Sequence, residues 1–167
     1  YEKLLWLQGE YAREIADNRF YELAVHAFAK AGMDTNKFPL AYVKAALDTC
    51  KGKFKTFGEL PSYAGFYFRD EVTYNAEAAR KDFVPENKPR LQKLRDAFAK
   101  LDAFTAANLE TTLKETAKDL GVKVGVMVHP TRLALTGNTA GPSLYHLLEV
   151  LGKEKSLTRI EKAILIS

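Results

Sequence analysis

Cysteine occurs once in the 167 residues, at Cys50. No internal disulfide can form, and no cysteine-based zinc site is available. The three histidines, His26, His129 and His146, are scattered, so a histidine metal site would need ligands from distant segments, and no metal is expected. No apolar run approaches the ~18 to 20 residues of a membrane span, and the N-terminus lacks a basic-then-apolar signal segment, which predicts a cytoplasmic protein without a membrane partner. Catalytic signatures are missing as well. Gly52 and Lys53 are not followed by the serine or threonine of a phosphate-binding loop, and no G-x-G-x-x-G, G-x-S-x-G or H-E-x-x-H run occurs. Cys50 beside Lys51 reads either as an activated thiol or as a small apolar residue ending an amphipathic helix, and packing is the preferred reading. Acidic pairs such as Asp70 with Glu71, or Glu115 with Asp119, read as solvated helix faces.

What is present is enough for a core: 47% of the residues are hydrophobic and 28% charged, the balance of a folded domain. The net charge is +4, a mild excess that suits nucleic acid without forming a basic arm. Residues 1–65 hold nine basic and eight acidic side chains, residues 66–120 ten of each, and residues 121–167 six basic and three acidic. The excess therefore lies toward the C-terminal end. A second concentration is CKGKFKTF, where Lys51, Lys53 and Lys55 would line one edge if the stretch were extended. The chain opens on Tyr1 in a stretch that already reads as helix, which predicts a segment of a longer polypeptide.

Helical periodicity recurs and strand alternation is nearly absent. Leu4, Leu7, Tyr11 and Ile15 share a face of a first helix interrupted by Gly9. Asn18 is placed to cap a second helix with Leu23, Ala24, Ala27 and Phe28 on its stripe and Gly32 at its stop. Pro39 opens a third. Residues 56–65 read as a short helix and a connection, the expected boundary between helical units. Leu91, Leu94, Phe98 and Leu101, then Leu109, Leu113, Ala117 and Leu120, mark two further helices, the second ending at Gly121. VKVGVMVHP is the one β-like passage, expected as an irregular connection or very short strand. After it come a Pro-started helix stopped by Gly137, a tight NTAGP loop, a helix begun by Pro142 and closed by Gly152, and a last helix capped by Ser156.

The run GVKVGVMVHPTRLALTGNTAGPSLYHLLEVLGKEKSLTRIEKAI resembles the end of bacterial-type glutamyl-tRNA synthetases: G-x-K-x-G, P-x-R-x-A-L-T-G, a G-P step, then L-L-G-K-E before a final R-I helix. KLLWLQGEYAREI is similar to the segment that opens that family's anticodon-binding region, and KGKFKTFGEL to its R-x-R-x-x-T-L-x-E segment. The resemblance implies an all-α fold of two consecutive helical domains, an anticodon-binding bundle or superhelical cage, over residues 1–65 and 66–167. It implies tRNA as partner, for glutamate and also for glutamine if the reading is relaxed, together with a catalytic domain of the same polypeptide and a monomeric state. The family's H-I-G-H-like and K-M-S-K-S-like signatures do not occur here, so no catalytic site is expected. ATP and magnesium are implied for the full-length enzyme, and no cofactor for this chain.

The implied RNA-binding residues are Lys51, Lys53, Arg132, Thr136, Gly141, Pro142 and Leu144. Arg132 matches the arginine of P-x-R-x-A-L-T-G and offers a planar donor fork to a base edge or a phosphate. Gly141, Pro142 and Leu144 match the turn that packs against splayed anticodon bases, and Thr136 would add a hydroxyl. Lysine at position 53, where many family members carry arginine, keeps the charge without the bidentate fork, which points to a relaxed reading of glutamate and glutamine anticodons or to another reader. Gln8 and Thr131 are further departures from the family pattern.

Other readings sit beside these. Arg132 would otherwise be a solvated or salt-bridged side chain, Pro142 a helix starter, Gly137 and Gly152 helix stops, and the lysines a solvated rim. Trp6 and Tyr11 are expected in core or domain-interface packing, and His129 and His146 as polar packing residues or RNA neighbours. The alternative function is a helical protein-interaction or regulatory module derived from the synthetase end.

Overall fold

The computed structural model describes residues 2–4, 6–8 and 17–167. Among them regular structure is helical throughout, with no strand, and the fold is all-α. The chain divides into two compact units, Tyr1–Asp70 and Glu71–Ser167. The first carries α1 (Asp17–Lys30), α2 (Leu40–Asp48) and α3 (Leu60–Ala64), with short 3-10 turns at Thr35–Lys37, Phe57–Glu59 and Gly65–Phe68. The second carries α4 (Ala76–Asp82), α5 (Lys88–Ala99), α6 (Ala106–Asp119), α7 (Val124–Thr136), α8 (Leu144–Leu151) and α9 (Lys153–Ile166).

The first unit is built on aromatic rings. Phe20, Ala24 and Phe28 are the buried stripe of α1, and Phe28 meets Phe68 edge-on at 4.9 Å between centroids. Phe38 stacks on Tyr42 and meets Phe68 edge-on. Tyr67 is fully buried: its hydroxyl lies 2.8 Å from Thr49 Oγ1, and its carbonyl accepts from the Tyr42 hydroxyl at 2.6 Å. These rings hold residues 66–68 in the first unit, which runs to Asp70. Asn18 does not cap α1, because Asp17 before it is already helical. Residues 2–4 and 6–8 are helical. Trp6, expected in core or interface packing, is 61% exposed, and Leu4 and Leu7 are exposed too. Gly9, Tyr11 and Ile15 lie outside the described residues.

The second unit is aliphatic. α5 buries Leu91, Leu94 and Phe98, and α6 buries Leu109, Leu113 and Ala117, each buried leucine or phenylalanine contributing about 1.5–3 kcal/mol. α9 packs on α5 and α7, and α8 on α6. The β-like passage is corrected here: VGVMVHP forms the first turns of α7, and Pro130 sits inside the helix. Met127, Pro130, Thr131 and Ala134 are all buried, and their spacing of three and four gives the helix an apolar face that outweighs the β preference of its valines. The proline costs one backbone hydrogen bond. Ser156 is likewise not a cap. It lies within α9, fully buried, with its hydroxyl directed at the Leu148 carbonyl, and Gly152 takes the cap position.

Candidate nucleic-acid interface

Two turns carry the residues expected to meet RNA, one in each unit. In the first unit α2 ends at Asp48 and the backbone turns at once, with Lys53 N–H donating to Cys50 O at 3.1 Å. Gly52 holds a φ of 71°. The stretch therefore opens with a turn and not an extended edge, and Lys51 is more buried than Lys53 and Lys55. Phe54 is buried and packs its ring on Phe20 and Phe57. This anchor leaves Lys53 and Lys55 exposed on either side of it.

Lys51 takes a different course. Its ammonium donates to Asp17 Oδ1 at 2.8 Å and sits 3.1 Å from Asp48 Oδ1. It also lies 4.9 Å from the centre of the Tyr21 ring and 5.2 Å from that of Phe20. The Tyr21 hydroxyl donates to Asp48 at 2.6 Å. Partial burial works against the ammonium, but bonds to Asp17, Asp48 and Tyr21 outweigh it and raise its pKa. The Lys51 charge is met by the protein's own carboxylates. Cys50 beside it is fully buried, and burial pushes its thiol up to about 11, which makes it a packing residue and not a nucleophile.

In the second unit α7 stops at Gly137, which has a φ of 78°. A Cβ there would stand 2.1 Å from Thr73 O and 2.8 Å from Val72 Cγ1, so both the left-handed backbone and the close approach of residues 72–73 require glycine. Arg132 and the Gly141–Pro142 step are brought together: Arg132 Nη1 donates to Pro142 O at 2.6 Å, and a Cβ on Gly141 would stand 3.3 Å from the same nitrogen. Thr136 is buried, its hydroxyl donating to Arg132 O at 2.9 Å and accepting from Asn138 N at 3.1 Å. Pro142 and Leu144 are buried as well. Thr136, Pro142 and Leu144 thus shape the turn from within, and Gly141 with residues 138–140 forms its outer surface. His26, His129 and His146 are exposed, and no cluster of three or more metal-ligating side chains occurs among the described residues.

Arg159 escaped the sequence reading. It is 3% exposed and donates from Nη1 to Leu135 O, in the last turn of α7, at 2.7 Å. Its position was legible: Ser156, Arg159, Ile160, Ala163 and Ile164 are all buried, and their helical spacing placed an arginine on the apolar face. Nothing in the sequence indicated which carbonyl it would reach.

Among the described residues all regular structure is helical, a glycine-marked turn gathers around an arginine in one unit, and the other unit exposes lysines, side chains of the types that meet RNA. The chain belongs to the anticodon binding domain family, whose model matches residues 19–164. It is 32% identical to glutamate–tRNA ligase 2 of Caldicellulosiruptor saccharolyticus over 160 residues, covering 96% of this chain and 33% of that protein. It is 35% identical to the glutamate–tRNA ligase of Geobacter sulfurreducens over 166 residues, covering 98% and 34%. The chain therefore spans about a third of the length of these curated relatives. Its fold matches that of a glutamate tRNA ligase from Elizabethkingia meningosepticum with a TM-score of 0.85 at 23% identity, over 99% of this chain and 32% of that one.

Proposed function

We propose that the chain is the anticodon-binding part of a glutamate–tRNA ligase and holds the anticodon loop of the tRNA while a catalytic region of the same polypeptide attaches glutamate. The observation that carries this reading is the family match over residues 19–164, joined to near-complete coverage of this chain by relatives that bear the ligase name. On this reading Lys53 neutralises phosphate or meets a base. The turn after α7 presents Gly141 and its neighbours to an unstacked base, with Thr136, Pro142 and Leu144 fixing its shape. One base packed in this way contributes roughly 1–3 kcal/mol. Lys51 acts indirectly by holding the turn that carries Lys53. Use of ATP and magnesium belongs to the region that the relatives have beyond the matched third. We place the protein in the cytoplasm as a monomer; no helix among the described residues is long and apolar enough to cross a membrane.

Binding of the chain to glutamate tRNA, glutamine tRNA and an unrelated tRNA at two salt concentrations tests the reading. The expected result is salt-sensitive binding that prefers glutamate tRNA, with Lys53→Ala lowering the salt slope by about one. Equal affinity for glutamate and glutamine tRNA would assign relaxed reading to Lys53. Absence of tRNA binding at low salt would overturn the proposal and favour a protein-interaction module.

A further inference from the structure

The lysines that follow α2 are not alike in what they hold. Lys51 is bound to Asp17 and Asp48, whereas among the described residues neither Lys53 nor Lys55 enters an ion pair. The backbone that carries Lys55 is fixed on both sides. Phe54 before it is 6% exposed, with its ring against Phe20 and Phe57. Thr56 after it is extended and leads into the 3-10 turn Phe57–Glu59. The Lys55 N–H itself donates to Glu59 Oε2 at 3.1 Å. Residues 56–59 carry the T-x-x-E spacing of a capping box, in which a glutamate reaches back to a backbone donor ahead of the first turn. Here it reaches one residue further back, to Lys55. Lys55 is thus an exposed cation on a fixed stretch of backbone.

We propose that Lys55 is a further RNA contact of this chain, its ammonium neutralising a backbone phosphate beside the place where Lys53 meets the RNA. The proposal rests on the RNA-binding reading above and adds to it a contact that sets affinity without reading sequence. Lys53 and Lys55 are two positions apart, so their Cα atoms are separated by at most about 7 Å, and both side chains reach one strand. A phosphate asks only for charge within reach, whereas a base edge asks for donors and acceptors in a fixed pattern. A compact ammonium on a flexible stem, without the planar fork of arginine, meets the first demand and not the second. Because Phe54 and the Glu59 bond already hold the backbone, binding orders only the lysine side chain, which limits the entropy lost.

The experiment compares the parent chain with Lys55→Ala, Lys55→Arg and Lys30→Ala for binding to glutamate tRNA, glutamine tRNA and an unrelated tRNA across a salt series. Lys30 is exposed in the last turn of α1, about 15 Å along that helix from the Phe20 ring on which Phe54 packs. It controls for the loss of one charge from the chain as a whole. Lys55→Ala is expected to lower the salt slope by about one and to weaken binding of all three tRNAs by the same factor. Its deficit should shrink roughly threefold between about 50 and 200 mM salt. Lys55→Arg and Lys30→Ala should keep the parent's slope, and urea unfolding of Lys55→Ala should match the parent's. An unchanged slope in Lys55→Ala overturns the proposal. So does an equal fall in Lys30→Ala, the mark of a diffuse field, or a Lys55→Ala defect that differs between glutamate and glutamine tRNA, the mark of a base contact. Each of those results leaves the functional reading standing. If the parent chain binds none of the three tRNAs at low salt, that reading itself fails and the proposal falls with it.

Discussion

The two turns solve one problem with different chemistry. Around residues 50–56 a lysine is held by carboxylates, Asp17 and Asp48, whose side chains are 75% and 51% exposed. Around residues 135–143 two arginines are held by backbone carbonyls, and Arg159 is almost wholly buried. Exposed ion pairs are screened and contribute little, whereas a buried carbonyl stripped of its donor keeps its full desolvation cost. The first turn is thus anchored chiefly by the Phe54 ring and the second chiefly by hydrogen bonds to its backbone. The surrounding cores follow the same division, aromatic in the first unit and leucine-rich in the second. A turn that must keep one shape is better fixed by donors on its own carbonyls than by long, hydrated side chains.

The largest effect that bears on this difference is expected at the helix stops. Gly137→Ala should cost about 3 kcal/mol or more, because a Cβ collides with Thr73 O as well as straining a positive φ. Gly32→Ala in the first unit, where φ is 81° and no atom lies within 4 Å of the added carbon, should cost about 1 kcal/mol. Urea unfolding measures both, and equal losses would remove the special status of the second turn.

Next comes a contrast between cations. Arg159→Met should destabilise by roughly 2–3 kcal/mol regardless of salt, since it leaves a buried carbonyl without its donor. Lys51→Met should cost at most about 1 kcal/mol, less at high salt. A large, salt-independent loss at Lys51 would show that the first turn also depends on its cation.

The smallest effect separates packing from chemistry at Cys50. Burial raises its thiol from 9.0 to about 11, so the unfolded chain ionises first as pH rises. The stability it contributes is present below pH 9.0 and lost as pH climbs toward about 11, on the order of 1–2 kcal/mol. Urea melts from pH 8 to 10.5 should show this decline in the parent chain and a weaker one in Cys50→Ala. Folded protein at pH 8 should resist thiol reagents, and rapid labelling there would contradict the packing role.

Much of the fold was legible. The spacings of Leu91, Leu94 and Phe98, and of Leu109, Leu113 and Ala117, marked helices because an amphipathic stripe is written locally, and Gly137 marked a stop for the same reason. VKVGVMVHP was misread because β-branched residues and a proline argue against helix in isolation, while burial of Met127, Pro130 and Thr131 decides the matter in the folded unit. Ser156 looked like a cap and proved to be core, since cap and core serines differ only in what lies opposite them. At the candidate site the motif PTRLALTG drew attention to Arg132, but its partner, the Pro142 carbonyl, was not readable.

The sequence by itself determined the helical class, the apolar faces, the glycine stops and the resemblance that singles out RNA, because each depends on residue type and near spacing along the chain. Only the tertiary structure decided that Lys51 is committed to Asp17 and Asp48, that Thr136 turns its hydroxyl inward, and that Arg159 and Arg132 brace a backbone turn. Those outcomes depend on which distant carboxylate or carbonyl comes within hydrogen-bond reach, and that is set by packing of whole helices and not by any local pattern.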